Sequence, residues 1–191
     1  MKKIFDVSEE DTFYMSGVDR DLTSRKNVLK RILSSQKLRS LPKGIKEYNR
    51  EYIEKYVESS ELKDELARKY IPEDYIQNYD ISWQLEYSTA QLQITKMDKA
   101  MKYKKILDID KDTISKLRLL NIDVTAMEEL IAEYITDNLD TGSALFSEYN
   151  KVYSEKLETL NKLKREIVSS VGVENDTYWT INFNTKQMFI Y

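Results

Sequence analysis

The chain has 191 residues, a formal net charge of −3 and a pI near 5.3, so it carries no general attraction to nucleic acid or to an anionic membrane. It holds no cysteine and no histidine, which excludes disulfides, thiolate nucleophiles, Ser-His-Asp or Cys-His machinery and zinc centres built on those side chains. With 41% hydrophobic and 33% charged residues, but only 4 Gly and 2 Pro, the composition predicts a globular protein of long helices and few elaborate loops.

In chain order, "KKIFDV" from Lys2 reads as a short strand. The segment turns acidic within a few residues, without the apolar core of a signal peptide, and no window is long and apolar enough to span a membrane. A cytoplasmic location is the expectation. "SEEDTFYMSG" opens on a capping pattern at Ser8 and Asp11 and meets Gly17, which predicts a short helix ending there. A second helix follows with Val28, Leu29, Ile32 and Leu33 on its apolar stripe. The third, near 45–70, carries Ile45, Tyr48, Tyr52, Tyr56, Leu62 and Leu66 at helical spacing. The period then changes to two: Trp83, Leu85 and Tyr87 alternate with polar residues, as do Leu92 and Ile94, predicting a β-hairpin.

The order then repeats: a short helix from Asp110 closing on Asn121, a second with Leu130, Ile131, Tyr134 and Ile135 on its apolar stripe, and a third near 145–169. "KKILDI" follows from Lys104, "DVTAMEELIAEYI" from Asp123 matches "DLTSRKNVLKRIL" from Asp21, and "EYNKVYSEKLETLNKLKREI" from Glu148 matches the stretch from Glu47. "WTINFNTKQMFI" from Trp179 matches "WQLEYSTAQLQI" from Trp83. These four collinear matches stand at offsets of 102, 102, 101 and 96 residues. The expected fold is therefore α+β and predominantly helical: two tandem homologous units, each of helices followed by an antiparallel hairpin, packed as a pseudo-two-fold pair. The first unit covers residues 1–96, a linker 97–103, and the second unit 104–191. Both tryptophans fall at the buried phase of a strand, so each is expected to anchor its hairpin onto helices.

Residues Asp108, Asp110 and Asp112 have the D-x-D-x-D opening of a calcium loop, but Thr113 and Leu119 occupy the positions that need Gly and Glu. A capped helix start is the simpler reading, and no metal, cofactor or catalytic residue is assigned. The strongest feature is charge. From Arg25 to Lys46 there are eight basic and no acidic residues: Arg25, Lys26, Lys30, Arg31, Lys37, Arg39, Lys43 and Lys46. From Asp123 to Glu148 the sign inverts, with Asp123, Glu128, Glu129, Glu133, Asp137 and Asp140 before Glu148 and no basic residue. Phe189 and Tyr191 sit on a strand face that elsewhere is polar and are candidate aromatic contacts.

Three explanations fit the inverted faces: drift of solvated surfaces, complementarity within or between chains, or a separate partner for each face. The expected function is a non-catalytic protein–protein interaction or assembly protein, with a protein partner or self-association. Its composition fits a bacterial or phage accessory protein. No small-molecule substrate is implied. One alternative is a nucleic-acid-associated protein or nuclease inhibitor, the basic face meeting phosphates or the acidic face mimicking them. The other is a carboxylate enzyme dependent on Mg²⁺.

Overall fold

The computed structural model describes residues 3–35, 45–99, 105–172, 178–183 and 187–191. The fold is α+β and predominantly helical, with two antiparallel three-stranded sheets. Its elements are β1 (Lys3–Asp6), α1 (Glu9–Leu33), α2 (Ile45–Tyr70), α3 (Glu73–Asn78), β2 (Tyr79–Glu86), β3 (Gln91–Lys99), β4 (Lys105–Asp108), α4 (Lys111–Thr136), α5 (Ala144–Ser170), β5 (Trp179–Asn182) and β6 (Gln187–Ile190).

Each hairpin gains the short strand as a third member, giving orders β1-β3-β2 and β4-β6-β5. The registers match position by position. Phe5 pairs with Leu92 and Leu107 with Met188; Trp83 pairs with Ile94 and Trp179 with Ile190. A side-chain bond recurs as well: Gln91 Nε2 donates to Asp6 Oδ1 at 3.2 Å, and Gln187 Nε2 to Asp108 Oδ1 at 3.1 Å. Because strand side chains alternate, a slip of one residue would turn each apolar set outward, so the buried pattern fixes these registers.

Two expected helix stops do not occur. Gly17 and Asn121 lie inside α1 and α4, each a single long helix. The apolar stripe Met15, Val18, Leu22 runs through the glycine and is buried, and that burial outweighs the roughly 1 kcal/mol propensity cost of one helical glycine. A Cβ built on Gly17 meets nothing within 4 Å. Gly17→Ala is therefore expected to stabilise the protein by about 0.5–1 kcal/mol in denaturant titration. The expected starts of α1 and α4 do occur. Ser8, Asp110 and Ser143 cap the starts of α1, α4 and α5, accepting from the N–H groups of Asp11, Thr113 and Phe146. Gly172, at φ 66°, follows the end of α5. Val28 and Ile135, expected on buried stripes, are exposed at 46% and 55%: the stripe lies around Leu29 and Leu33 in α1 and around Leu130 and Tyr134 in α4.

The chain packs as two compact units, Met1–Arg25 with Glu54–Met101, and Lys26–Ile53 with Lys102–Tyr191. This partition differs from the sequence partition 1–96 and 104–191. Strand β3 also runs to Lys99, through the start of the expected linker. In the first unit, Val7, Met15, Leu66, Ile71, Leu92 and Ile94 form a core that Trp83 covers half-buried. In the second, Leu117, Leu160, Leu163, Ile167, Met188 and Ile190 form another, with Trp179 packed on it. The tryptophans thus pack hairpins onto helices.

The second unit also holds segments from both sequence halves, the end of α1 and the start of α2 with α4 and α5. Tyr52, Tyr134 and Tyr149 are fully buried there. The hydroxyl of Tyr52 donates to the carbonyl of Ala126 at 3.0 Å, and that of Tyr149 to Asn49 Oδ1 at 2.9 Å. Burial pushes the Tyr149 phenol well above its ordinary pKa, which keeps it a donor. Tyr134 stacks on Phe146 with ring centroids 4.3 Å apart.

Candidate functional site

The inverted charges meet inside the second unit. Lys26 Nζ lies 2.6 Å from Glu133 Oε1; Lys30 Nζ lies 3.3 Å from Glu133 Oε2 and 2.7 Å from Asp137 Oδ2. Lys30 is only 9% exposed, whereas Glu133 and Asp137 keep about half of their side-chain surface in solvent. Burial alone would lower the pKa of the Lys30 ammonium, but the hydrogen bonds it donates to Asp137 and Glu133 hold it above its usual value. Burial likewise pushes Glu133 up, and Lys26 and Lys30 more than reverse this, leaving its carboxyl below the usual glutamate value.

The location explains the need for cations. Glu133 and Asp137 lie at the carboxyl end of α4, where the helix dipole is negative, and its last turn has no basic residue. The lysines of α1 supply that positive charge across the helix pair. Aligning the repeats sets Lys26 against Glu128 and Arg31 against Glu133. The contacts are different: Lys26 meets Glu133, and Arg31 is exposed.

The remaining candidates divide. Arg25 bonds Asp21 one turn earlier at 3.3 Å. Asp123 pairs with Lys156 of α5, a partner the charge runs gave no reason to name. The same pair occurs in the first unit as Asp21 with Lys55, at 3.1 Å, so comparing the repeats beyond the charged runs would have found it. Asp140 Oδ1 accepts from the N–H of Gly142 at 2.9 Å and supports the turn before α5. Glu128 and Glu129 are exposed. Lys37, Arg39 and Lys43 lie outside the described residues, as does the side chain of Lys46.

Phe189 stands opposite Ile106 and Thr180 in the second sheet. The Tyr191 ring lies 5.3 Å from that of Tyr178, its N–H donates to the Tyr178 carbonyl at 3.0 Å, and its hydroxyl is 3.2 Å from Thr180 Oγ1. Both are half-buried parts of a sheet face on which Ile106 and Tyr178 are more exposed. Of the aspartate triplet, Asp110 is the cap of α4. Among the described residues no three Asp or Glu side chains converge as a metal site, and no helix is long and apolar enough to cross a membrane.

The first unit contains a polar network that sequence reasoning did not single out. Asp19 accepts hydrogen bonds from Ser59, at 2.8 Å, and from Tyr87, with Lys63 Nζ at 3.5 Å. At the repeat offsets these positions become Asn121, Leu160 and Phe183, while Lys63 becomes Lys164. That local departure from the repeat was the available signal.

Compared with family models, with curated proteins and with solved structures, the chain matches none.

Proposed function

We propose that this protein is a non-catalytic interaction or assembly protein, built by tandem duplication of one strand–helix–helix–hairpin module and packed as a pseudo-two-fold pair. Its inverted charges hold helix ends of the two sequence halves in register, and its exposed acidic surface is offered to a protein partner. The duplication is supported by equal strand orders, matched registers and the recurrence of the Asp21–Lys55 pair as Asp123–Lys156. The observation that carries the reading is Lys30, nine-tenths buried and bonded to both Glu133 and Asp137. Drift of two independently solvated faces gives no reason for a buried lysine to sit between two carboxylates of the opposite run. The nucleic-acid alternative is weakened by the same contacts, since Lys26 and Lys30 are already neutralised.

The exposed acidic pair Glu128 and Glu129 is the part of the acidic run on which a partner acts. Tagged wild type and Glu128→Lys/Glu129→Lys, matched in melting temperature, are expected to differ in extracts of the native host. A basic protein retained by the wild type and lost by the variant, with release at high salt, is the expected result. Identical retained proteins on both, or none on either, contradicts it.

A further inference from the structure

The first unit has an open cleft of about 530 Å³, inside the range of about 300–1,000 Å³ typical of ligand-binding clefts. One wall is strand β2, and all five consecutive residues from Ile81 to Leu85 line it. Neighbouring strand residues point to opposite faces, so a cleft that touches five in a row runs along the strand's edge. About 13 Å of edge is involved, at about 3.3 Å per residue. Strand β2 is the outermost strand of its sheet, and among the described residues it pairs with β3 alone. The one register shift, at Ser82/Trp83, leaves Thr95 of β3 as the extra residue, so β2 itself is regular. Its outer backbone groups form a row that another chain can extend.

The facing wall comes from helices: Met15 and Asp19 of α1, and Ser60, Lys63 and Asp64 of α2. Trp83 and Leu85 give the floor an apolar surface. The two aspartates outnumber the single lysine, which itself lies against Asp19, and Glu61 and Glu86 are exposed beside them in sequence. At the repeat offsets Glu61, Asp64 and Glu86 become Lys162, Arg165 and Asn182, so this acidity belongs to the first copy only.

We infer that this cleft binds an extended, basic segment of a partner protein by adding it as a fourth strand beside β2. Backbone groups of Ile81–Leu85 supply the pairing. Alternate side chains of the guest turn toward the helix wall, where Asp19 and Asp64 select lysine or arginine beside Trp83. The Tyr87 hydroxyl, raised in pKa by burial and by Asp19, stays protonated and holds that carboxylate in place. The cleft lies in a different unit from the Lys30 cluster, so this inference stands separately from the proposal above.

The test uses the full chain carrying Trp179→Phe, which leaves Trp83 the sole tryptophan. Three acetylated heptapeptides are titrated: alternating lysine and valine, the same peptide N-methylated on alternate backbone amides, and alternating glutamate and valine. The lysine peptide is expected to saturate and shift Trp83 emission. The N-methylated and glutamate peptides, and the lysine peptide against Glu61→Lys/Asp64→Lys, are expected to bind at least about tenfold more weakly. Equal binding of the N-methylated peptide would reduce the effect to charge and apolar contact and overturn the strand addition. Absence of saturation by about 1 mM overturns the site itself.

Discussion

Replacing Tyr52 by alanine is expected to destabilise the protein by about 4 kcal/mol, the largest single loss expected of an uncharged substitution here. The side chain is 0% exposed and its hydroxyl donates to Ala126 of α4, so truncation leaves a cavity and removes a bond between sequence-distant helices. Tyr52→Phe separates the two effects. It keeps the ring and should cost about 1 kcal/mol, the net contribution of one buried hydrogen bond. Urea titration of both variants, with unchanged slope, is the measurement. A loss below about 1.5 kcal/mol for Tyr52→Ala would mean that this position is not in a close-packed core.

Lys30→Glu is expected to cost about 3 kcal/mol, because it places a third carboxylate between Glu133 and Asp137 at a site nine-tenths withdrawn from water. Lys30→Met keeps most of the aliphatic stem and should cost only about 1–2 kcal/mol, since both anions are half-exposed and regain hydration. The two should also differ from wild type in pH dependence. The carboxyl of Glu133 titrates below the ordinary glutamate value of 4.5 in the folded protein. Its contribution is therefore complete above that value and is lost as pH falls through the lowered one. Lys30 shifts upward from 10.5, so its contribution is complete below that value and fades in strong base. Stability measured from pH 6 to 3 should fall more steeply for wild type than for Lys30→Met. Parallel curves would show that the pair contributes nothing to the acid limb.

Much of the fold was legible because its signals are periodic. Three-and-four spacing marked α2 and α5 closely, and the switch to alternation placed both hairpins and both tryptophans on the buried side. The short strands β1 and β4 were visible only because "KKIFDV" and "KKILDI" recur. The helix starts at Ser8 and Asp110 were legible too, and what failed was the stops. Gly17 and Asn121 are the right residue types for a stop, yet a helix ends where burial ceases to support it, and Met15, Val18 and Leu22 carry α1 across the glycine. Val28 and Ile135 failed for a related reason: four apolar residues in two turns cover more of the helix circumference than the neighbours do.

The charged faces were legible as composition but not as contacts. Positions that the sequence offset aligns need not touch, because contacts follow the packing of the helices rather than the alignment. Lys26 therefore reaches Glu133 rather than Glu128, and Lys30 takes both Glu133 and Asp137. The cleft beside β2 was hidden more deeply. Asp19, Ser59 and Tyr87 are 28 to 40 residues apart between neighbours in sequence, and only the substitutions Asn121, Leu160 and Phe183 in the second copy set them apart.

The claim on which most depends is that the opposite charges of the two sequence halves close on each other within one chain. A four-member stability cycle tests it: wild type, Lys26→Glu/Lys30→Glu, Glu133→Lys/Asp137→Lys, and the combined swap. Each double reversal should be destabilised, and the fourfold variant should recover, with a coupling free energy of at least about 2 kcal/mol. Losses that simply add, leaving the fourfold variant the least stable of the set, would contradict it.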